Sequence, residues 1–361
     1  MNITFLIGNG FDLNLGLQTQ YNHFLEEYKK ISLKDNANIR RFKKEIKQDS
    51  FLWSNAELAF GEYTECFDGT ERTAKEFIEC YADFCTKLSA YLFRQEERLN
   101  YRAIHSSLSQ NFAEAITHYY MGFRETQKTL IQKSEKNFLG GYNFNFLNFN
   151  YTETLDAAIS AVSETAGLLG KRKVLSGFHE NKIHPSIHVH GKLGLDMVFA
   201  VNDETQLKNT ALFSEYAEFL RQLIKQYANE MAENNVEQKA VDVLNQSDLI
   251  YVYGMSLGAT DTRWWTRICT LLKDKPSLRL ILHAYDAPER TLFSWEYQKF
   301  SREKRELFLS YCDFDEDKKA DIANRIHIDD SNIFCELQDI VDSEENKTPK
   351  VNSDSCPMMK Y

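Results

Sequence analysis

Apolar residues along the chain fall into two rhythms. Short runs of strand length alternate with longer stretches whose apolar side chains recur every three or four residues. ITFLI (3–7) is the first run. NFNFLNFNYT (143–152), SIHVHGKL (186–193), MVFAV (197–201), DLIYVYGMS (248–256), LRLILHAYD (278–286) and RIHI (325–328) follow as predicted strands. Within SIHVHGKL the alternation puts His188 and His190 on one face, with Ile187 and Val189 on the other.

Helical spacing fills the gaps. Thr19 is placed to cap a helix through QYNHFLEEYKK, and from there to residue 135 no strand is evident. Phe77, Tyr81, Phe84, Leu88 and Tyr91 share one helix face; Ile104, Leu108, Phe112 and Ile116 share another, and both read as packing seams. Leu212, Tyr216, Phe219 and Leu223, then Trp264, Ile268, Leu271 and Leu272, mark two more helices. Strands alternating with helices imply a mainly parallel sheet covered on both faces, an α/β fold with a large all-helical insertion after strand one. The expected division is a core of 1–24 and 140–342, a helical insertion of 25–139 and a polar, flexible tail of 343–361.

Ligands of such sheets bind at the carboxyl ends of the strands. Four polar segments stand there. In GNGFD (8–12) the glycines permit close backbone approach to a ligand, and the amides of such a turn favour an anion. A tight strand–helix turn explains the same residues. The dinucleotide fingerprint requires a third glycine where this chain has Leu13, and a second strand where helix follows, so the motif is not that of a dehydrogenase. In FNYTETL (149–155), Asn150 can orient a hydroxyl or a water; the alternative is a helix start capped by Thr152. In HVHG (188–191), His190 can take a proton from a hydroxyl or water, or be a hydrogen-bonded structural histidine. No third ligand accompanies the His-x-His pair, so no metal is expected. In YGMSLGATD (253–261), Gly254, Ser256 and Gly258 can form a second ligand-hugging turn, and Asp261 either caps the next helix or meets a ribose.

Composition narrows the classes. The 361 residues carry a formal charge of −10, which argues against a duplex nucleic-acid binder. The basic run RFKKEIK (41–47) reads as a solvated helix face. Seven scattered cysteines without metal spacing point to free thiols in a reducing cytoplasm. No leader and no apolar run of membrane-spanning length is seen, so no membrane partner is expected.

Taken together, IGNGFDLNLGLQTQY, FNYTETL, HVHGKLG, MVFAVNDE and YGMSLGATDTRWW resemble the bacteriophage abortive-infection AbiH family, with Ala200 where that family tends to have glycine. AbiH proteins in turn look like the sirtuin-like superfamily, a Rossmann-type fold that binds nicotinamide adenine dinucleotide (NAD). The resemblance implies a role for Gly8, Asn9, Gly10 and Asp12, and for Gly254, Ser256, Gly258 and Asp261, in holding the nucleotide. It implies Asn150 beside the reactive ribose and His190 as general base. Thr152 departs from the Asp of the sirtuin-like pattern, and the four-cysteine zinc module of deacetylating sirtuins is missing. The implied activity is therefore hydrolysis of NAD or a related nucleotide at the nicotinamide glycosidic bond, by an NAD glycohydrolase. The alternative is a nucleotide-binding sensor acting through a partner or assembly. Either leaves room for a phage-derived trigger and a homo-oligomer.

Overall fold

A computed structural model of the chain describes residues 1–232, 235–288, 294–338, 340 and 343; the predicted tail beyond 343 lies outside them. Eight strands run in chain order: β1 (Asn2–Ile7), β2 (Asn143–Asn148), β3 (Lys171–Val174), β4 (Gly177–Glu180), β5 (Lys182–His188), β6 (Leu249–Tyr253), β7 (Arg279–His283) and β8 (Ile326–Asp329). β3 and β4 form a separate hairpin, which the sequence pattern did not announce. The other six make one sheet in the order β5-β2-β1-β6-β7-β8, every neighbouring pair parallel. Counting only sheet strands, this is the order 3-2-1-4-5-6 of a Rossmann-like α/β sheet. Its direction of winding reverses between β1 and β6, and the carboxyl ends of those two strands therefore border the natural crevice.

The helices are α1 (Gly10–Asn14), α2 (Tyr21–Tyr28), α3 (Ala37–Gln48), α4 (Ala56–Tyr63), α5 (Ala74–Glu96), α6 (His105–Thr117), α7 (Glu125–Glu135), α8 (Thr154–Glu164), α9 (Ala217–Gln222), α10 (Lys225–Met231), α11 (Val236–Gln246), α12 (Thr262–Asp274), α13 (Ser294–Leu309) and α14 (Glu316–Ala323). Alternation along the strands feeds two cores. Phe5, Phe146 and Tyr251 face α6 and α8, where Phe112 and Ile159 meet them. Leu6, Ile250 and Val252 face α11 and α12, where Leu244 and Trp265 are buried.

A third core is largely aromatic. Phe24, Phe42, Phe60, Phe77 and Phe84, from α2 to α5, pack edge-to-face around one another. The helical stretch between β1 and β2 is thus shared: α2–α5 build this third core, whereas α6 lies on the sheet. The solvated reading of the basic run holds except at Lys43, which is buried and paired with Asp35 at 2.9 Å.

Four local expectations are corrected. MVFAV is no strand; it touches strand-like pairing only where Val201 bridges Ile224, and Phe199 and Val201 are buried in the aromatic core instead. The Leu212–Leu223 helix is broken into a single 3-10 turn, 210–213, and α9. Thr19 does not cap α2, whose N-cap position is Gln20 and carries no side-chain cap bond, and the Thr19 hydroxyl donates to Asn9 Oδ1 at 2.5 Å. Cys269 and Cys312 are joined in a disulfide, with Cα atoms 5.4 Å apart, where free thiols were expected.

Candidate functional site

The segment after β1 and the segment after β6 interlock. Gly8 and Gly10 donate their amides to Tyr253 O and Gly254 O, both at 2.9 Å. Gly254 lies in the left-handed region at φ +67, and a Cβ on Gly10 would come within 2.4 Å of Gly254 Cα. Side chains at either position would drive the two turns apart. The glycines therefore serve backbone-to-backbone packing, and the amides of Gly8 and Gly10 are already committed rather than presented to a phosphate. Gly258 has an ordinary φ of −86 and accepts the Trp265 indole hydrogen bond at 3.0 Å.

Asp12 ties two of the segments together. Its carboxylate accepts Thr152 Oγ1 at 2.7 Å and Thr154 Oγ1 at 2.5 Å. The carboxyl is 1% exposed. Burial pushes its pKa up to about 6, against the opposing pull of the two hydroxyls. Thr152 thus acts as a partner of Asp12 and not as the cap of α8, which begins after Glu153. Asn150 completes the tie: its Nδ2 donates to Gly8 O at 3.1 Å.

The two histidines part company. β5 ends at His188, so His190 sits in the following turn and the strand alternation does not carry through. His188 Nε2 meets Asp156 of α8 at 2.7 Å and its Nδ1 meets Asn150 O at 3.2 Å, so it sits against the FNYTETL segment. His190 Nε2 meets Asp261 Oδ1 at 3.0 Å, and its buried Nδ1 has no hydrogen-bond partner. Asp261 occupies the N-cap position of α12 but makes no side-chain cap bond. Among the described residues no group of three or more His, Cys, Asp or Glu could hold a metal ion.

These segments wall a cavity of about 560 Å³ between the sheet's carboxyl edge and the aromatic helical core. Gly8, Asn9, Asp12, Asn150, His190, Gly254, Ser256 and Asp261 all line it; Gly10 and Gly258 stand behind the wall. Its size is that of a small-molecule site. The four segments lie within the stretch that matches a family model, that of bacteriophage abortive infection AbiH, over residues 4–282. The chain belongs to the AbiH family. Comparison with curated proteins and with solved structures gave no match. Membership places this AbiH protein in phage abortive infection, and no helix among its described residues is long and apolar enough to cross a membrane.

The AbiH cavity also holds groups that no motif marked. Lys225, at the start of α10, is 7% exposed. Its Nζ reaches Asp261 Oδ1 at 3.1 Å, Glu57 Oε2 at 2.9 Å and Thr260 O at 3.0 Å. Glu57 also accepts the Tyr21 and Tyr151 hydroxyls at 3.2 and 3.3 Å. Burial alone would raise the Asp261 carboxyl; Lys225 and His190 instead hold it well below the usual carboxylate range. Lys225 correspondingly stays charged, its pKa raised despite burial by Asp261 and Glu57. The result is a continuous buried line, Glu57–Lys225–Asp261–His190. The only visible trace in the sequence is one acid in the apolar stretch NAELAF and one lysine after Leu223–Ile224.

Proposed function

We propose that this AbiH protein takes NAD, or a related nucleotide, into the cavity and hydrolyses it at the nicotinamide glycosidic bond. The observation that carries the reading is His190. An anionic Asp261 accepts the Nε2 proton and leaves Nδ1 as an unpaired base inside the wall of the cavity. This is the carboxylate–imidazole arrangement that fixes the tautomer of a general base. Asn150, on the same wall, would orient the water or ribose hydroxyl that His190 deprotonates.

The charge of the site supports the same chemistry. Asp12, Glu57 and Asp261 line the cavity, and the ammonium that lines it, Lys225, pairs with Glu57 and Asp261. Cleavage of a glycosidic bond to nicotinamide passes through an oxocarbenium-like, positively charged ribose, which buried carboxylates stabilise. With the amides of Gly8 and Gly10 committed, the pyrophosphate would rest against the Asn9 and Ser256 side of the cavity.

The test is nicotinamide release from NAD by the purified protein, alone and with a phage lysate as trigger. His190→Ala should lower it by roughly 10²–10⁴-fold while the protein stays folded. Absence of release under both conditions would sink the hydrolase reading. A nucleotide sensor without turnover is the second reading. Thr152 favours it, because its hydroxyl is spent on Asp12 and no carboxylate stands at that position. Calorimetric binding of NAD without product would select it.

A further inference from the structure

A groove that shares no lining residue with the His190 cavity runs between α7, α13 and α14 and reaches β8. It comprises two connected hollows of about 600 and 670 Å³ that share Gln127, Arg302 and Arg305. Its charge opposes that of a chain carrying −10. The carboxylates lining it are already neutralised: Glu306 faces Arg302 at 3.7 Å, and Glu316 meets Lys319 at 3.2 Å. Arg124 and Arg305 have no carboxylate partner among the described residues. Arg124 lies over the Tyr297 ring at 4.5 Å, and Arg305 uses only Nε, on Ile326 O at 3.0 Å.

Two guanidiniums without a carboxylate partner in one groove have donors available for an anion. Burial lowers the pKa of Arg305 with no carboxylate to offset it. A second observation points into the same place. His327 of β8 lines the groove, is 3% exposed, and its Nε2 has no hydrogen-bond partner. Burial, then Arg279 and Arg305, push its pKa down to about 4, so it is a neutral imidazole able to donate one hydrogen bond without adding charge. At the far end Trp295 is 59% exposed beside the arginines. Guanidiniums that fork onto phosphate and an exposed indole that stacks on a base are the two halves of nucleotide recognition.

We propose that this groove is a second nucleotide site, in which Arg124 and Arg305 hold the phosphates, the neutral His327 backs the wall, and Trp295 carries the base. It is separate from the His190 cavity and does not depend on what that cavity does. Isothermal titration of the full-length protein with ATP and with inorganic pyrophosphate tests it. Both should bind, and Arg305→Ala should weaken both at least about tenfold. Trp295→Ala should weaken ATP by a similar factor and leave pyrophosphate unchanged. Arg124→Ala, whose guanidinium only overlies Tyr297, is the second variant if Arg305→Ala fails to fold after losing its bond to Ile326. No binding of either probe to the wild type would overturn the proposal. So would unchanged ATP affinity in a folded arginine variant, which would put the ligand elsewhere, or in Trp295→Ala, which would remove the base from the site.

Discussion

Replacing Asp12 by asparagine should change how stability depends on pH. The carboxyl is buried, and its pKa rises from an ordinary 3.8 to about 6. A carboxyl with a raised folded-state pKa favours the fold while protonated, and that advantage is lost as pH rises through the folded value. In full the loss amounts to about 3 kcal/mol, at roughly 1.4 kcal/mol per pH unit. Part of it is already incurred in mild acid, because the unfolded carboxyl ionises first. Between about pH 5 and about pH 8 the remaining fall is about 1.4 kcal/mol. The substituted amide cannot ionise, and the hydroxyls of Thr152 and Thr154 can turn to suit it. Asp329 is raised to about 6 by burial as well, but it is present in both proteins and cancels. Urea unfolding of wild type and Asp12→Asn at the two pH values measures the difference directly. The stability of the variant relative to wild type should rise by about 1.4 kcal/mol on going to the higher pH. Parallel curves, or a relative loss for the variant, would refute the reading of Asp12 as a strained buried carboxylate.

The glycine interlock predicts a sharp contrast. Gly10→Ala puts a Cβ 2.4 Å from Gly254 Cα and should cost about 1–3 kcal/mol or more, whereas Gly258→Ala meets only the Ser256 hydroxyl at 3.2 Å and should shift the urea midpoint little. Lys225→Met leaves Glu57 and Asp261 buried without their cation and should cost about 3–5 kcal/mol. Adding Glu57→Gln to that variant should recover part of the loss in the same unfolding experiment, since one uncompensated charge is then gone.

The positions of three of the four polar segments were legible because each follows an apolar run that ends in glycine or asparagine, and β1, β2 and β6 do end there. The sheet order was not, because pairing between distant strands leaves no mark on local periodicity. MVFAV misled because burial on all sides produces the same apolar run in a strand and in a coil pressed against aromatics, and Phe199 is such a case. Glu57 and Lys225 escaped notice for a different reason. A buried charge is recognised by its partner, and these partners lie on α4, α10 and the turn before α12, far apart in the chain. Gly8 and Gly10 were marked for close backbone approach, and the backbone they admit here is that of Gly254, a partner distant in the chain that no local pattern reveals.

The four segments are bonded to one another in a chain of contacts: Asp12 to Thr152 and Thr154, Asn150 to Gly8, Gly10 to Gly254, and His190 to Asp261. Such a framework would hold the sheet's carboxyl edge together even if nothing ever bound there. What exceeds a structural need is the part left unsatisfied. A buried nitrogen without a partner costs about 1–3 kcal/mol, and His190 Nδ1 is one. An asparagine at the same position could bond Asp261 without an idle ring nitrogen. A purely structural His190 should therefore tolerate His190→Asn with no loss of function. A base should not, because the amide nitrogen's lone pair is delocalised into its carbonyl and cannot accept the proton. Comparing His190→Asn with wild type, in melting temperature and in nicotinamide release, separates the two. Equal stability with lost release assigns the imidazole to chemistry, and equal release assigns it to the framework.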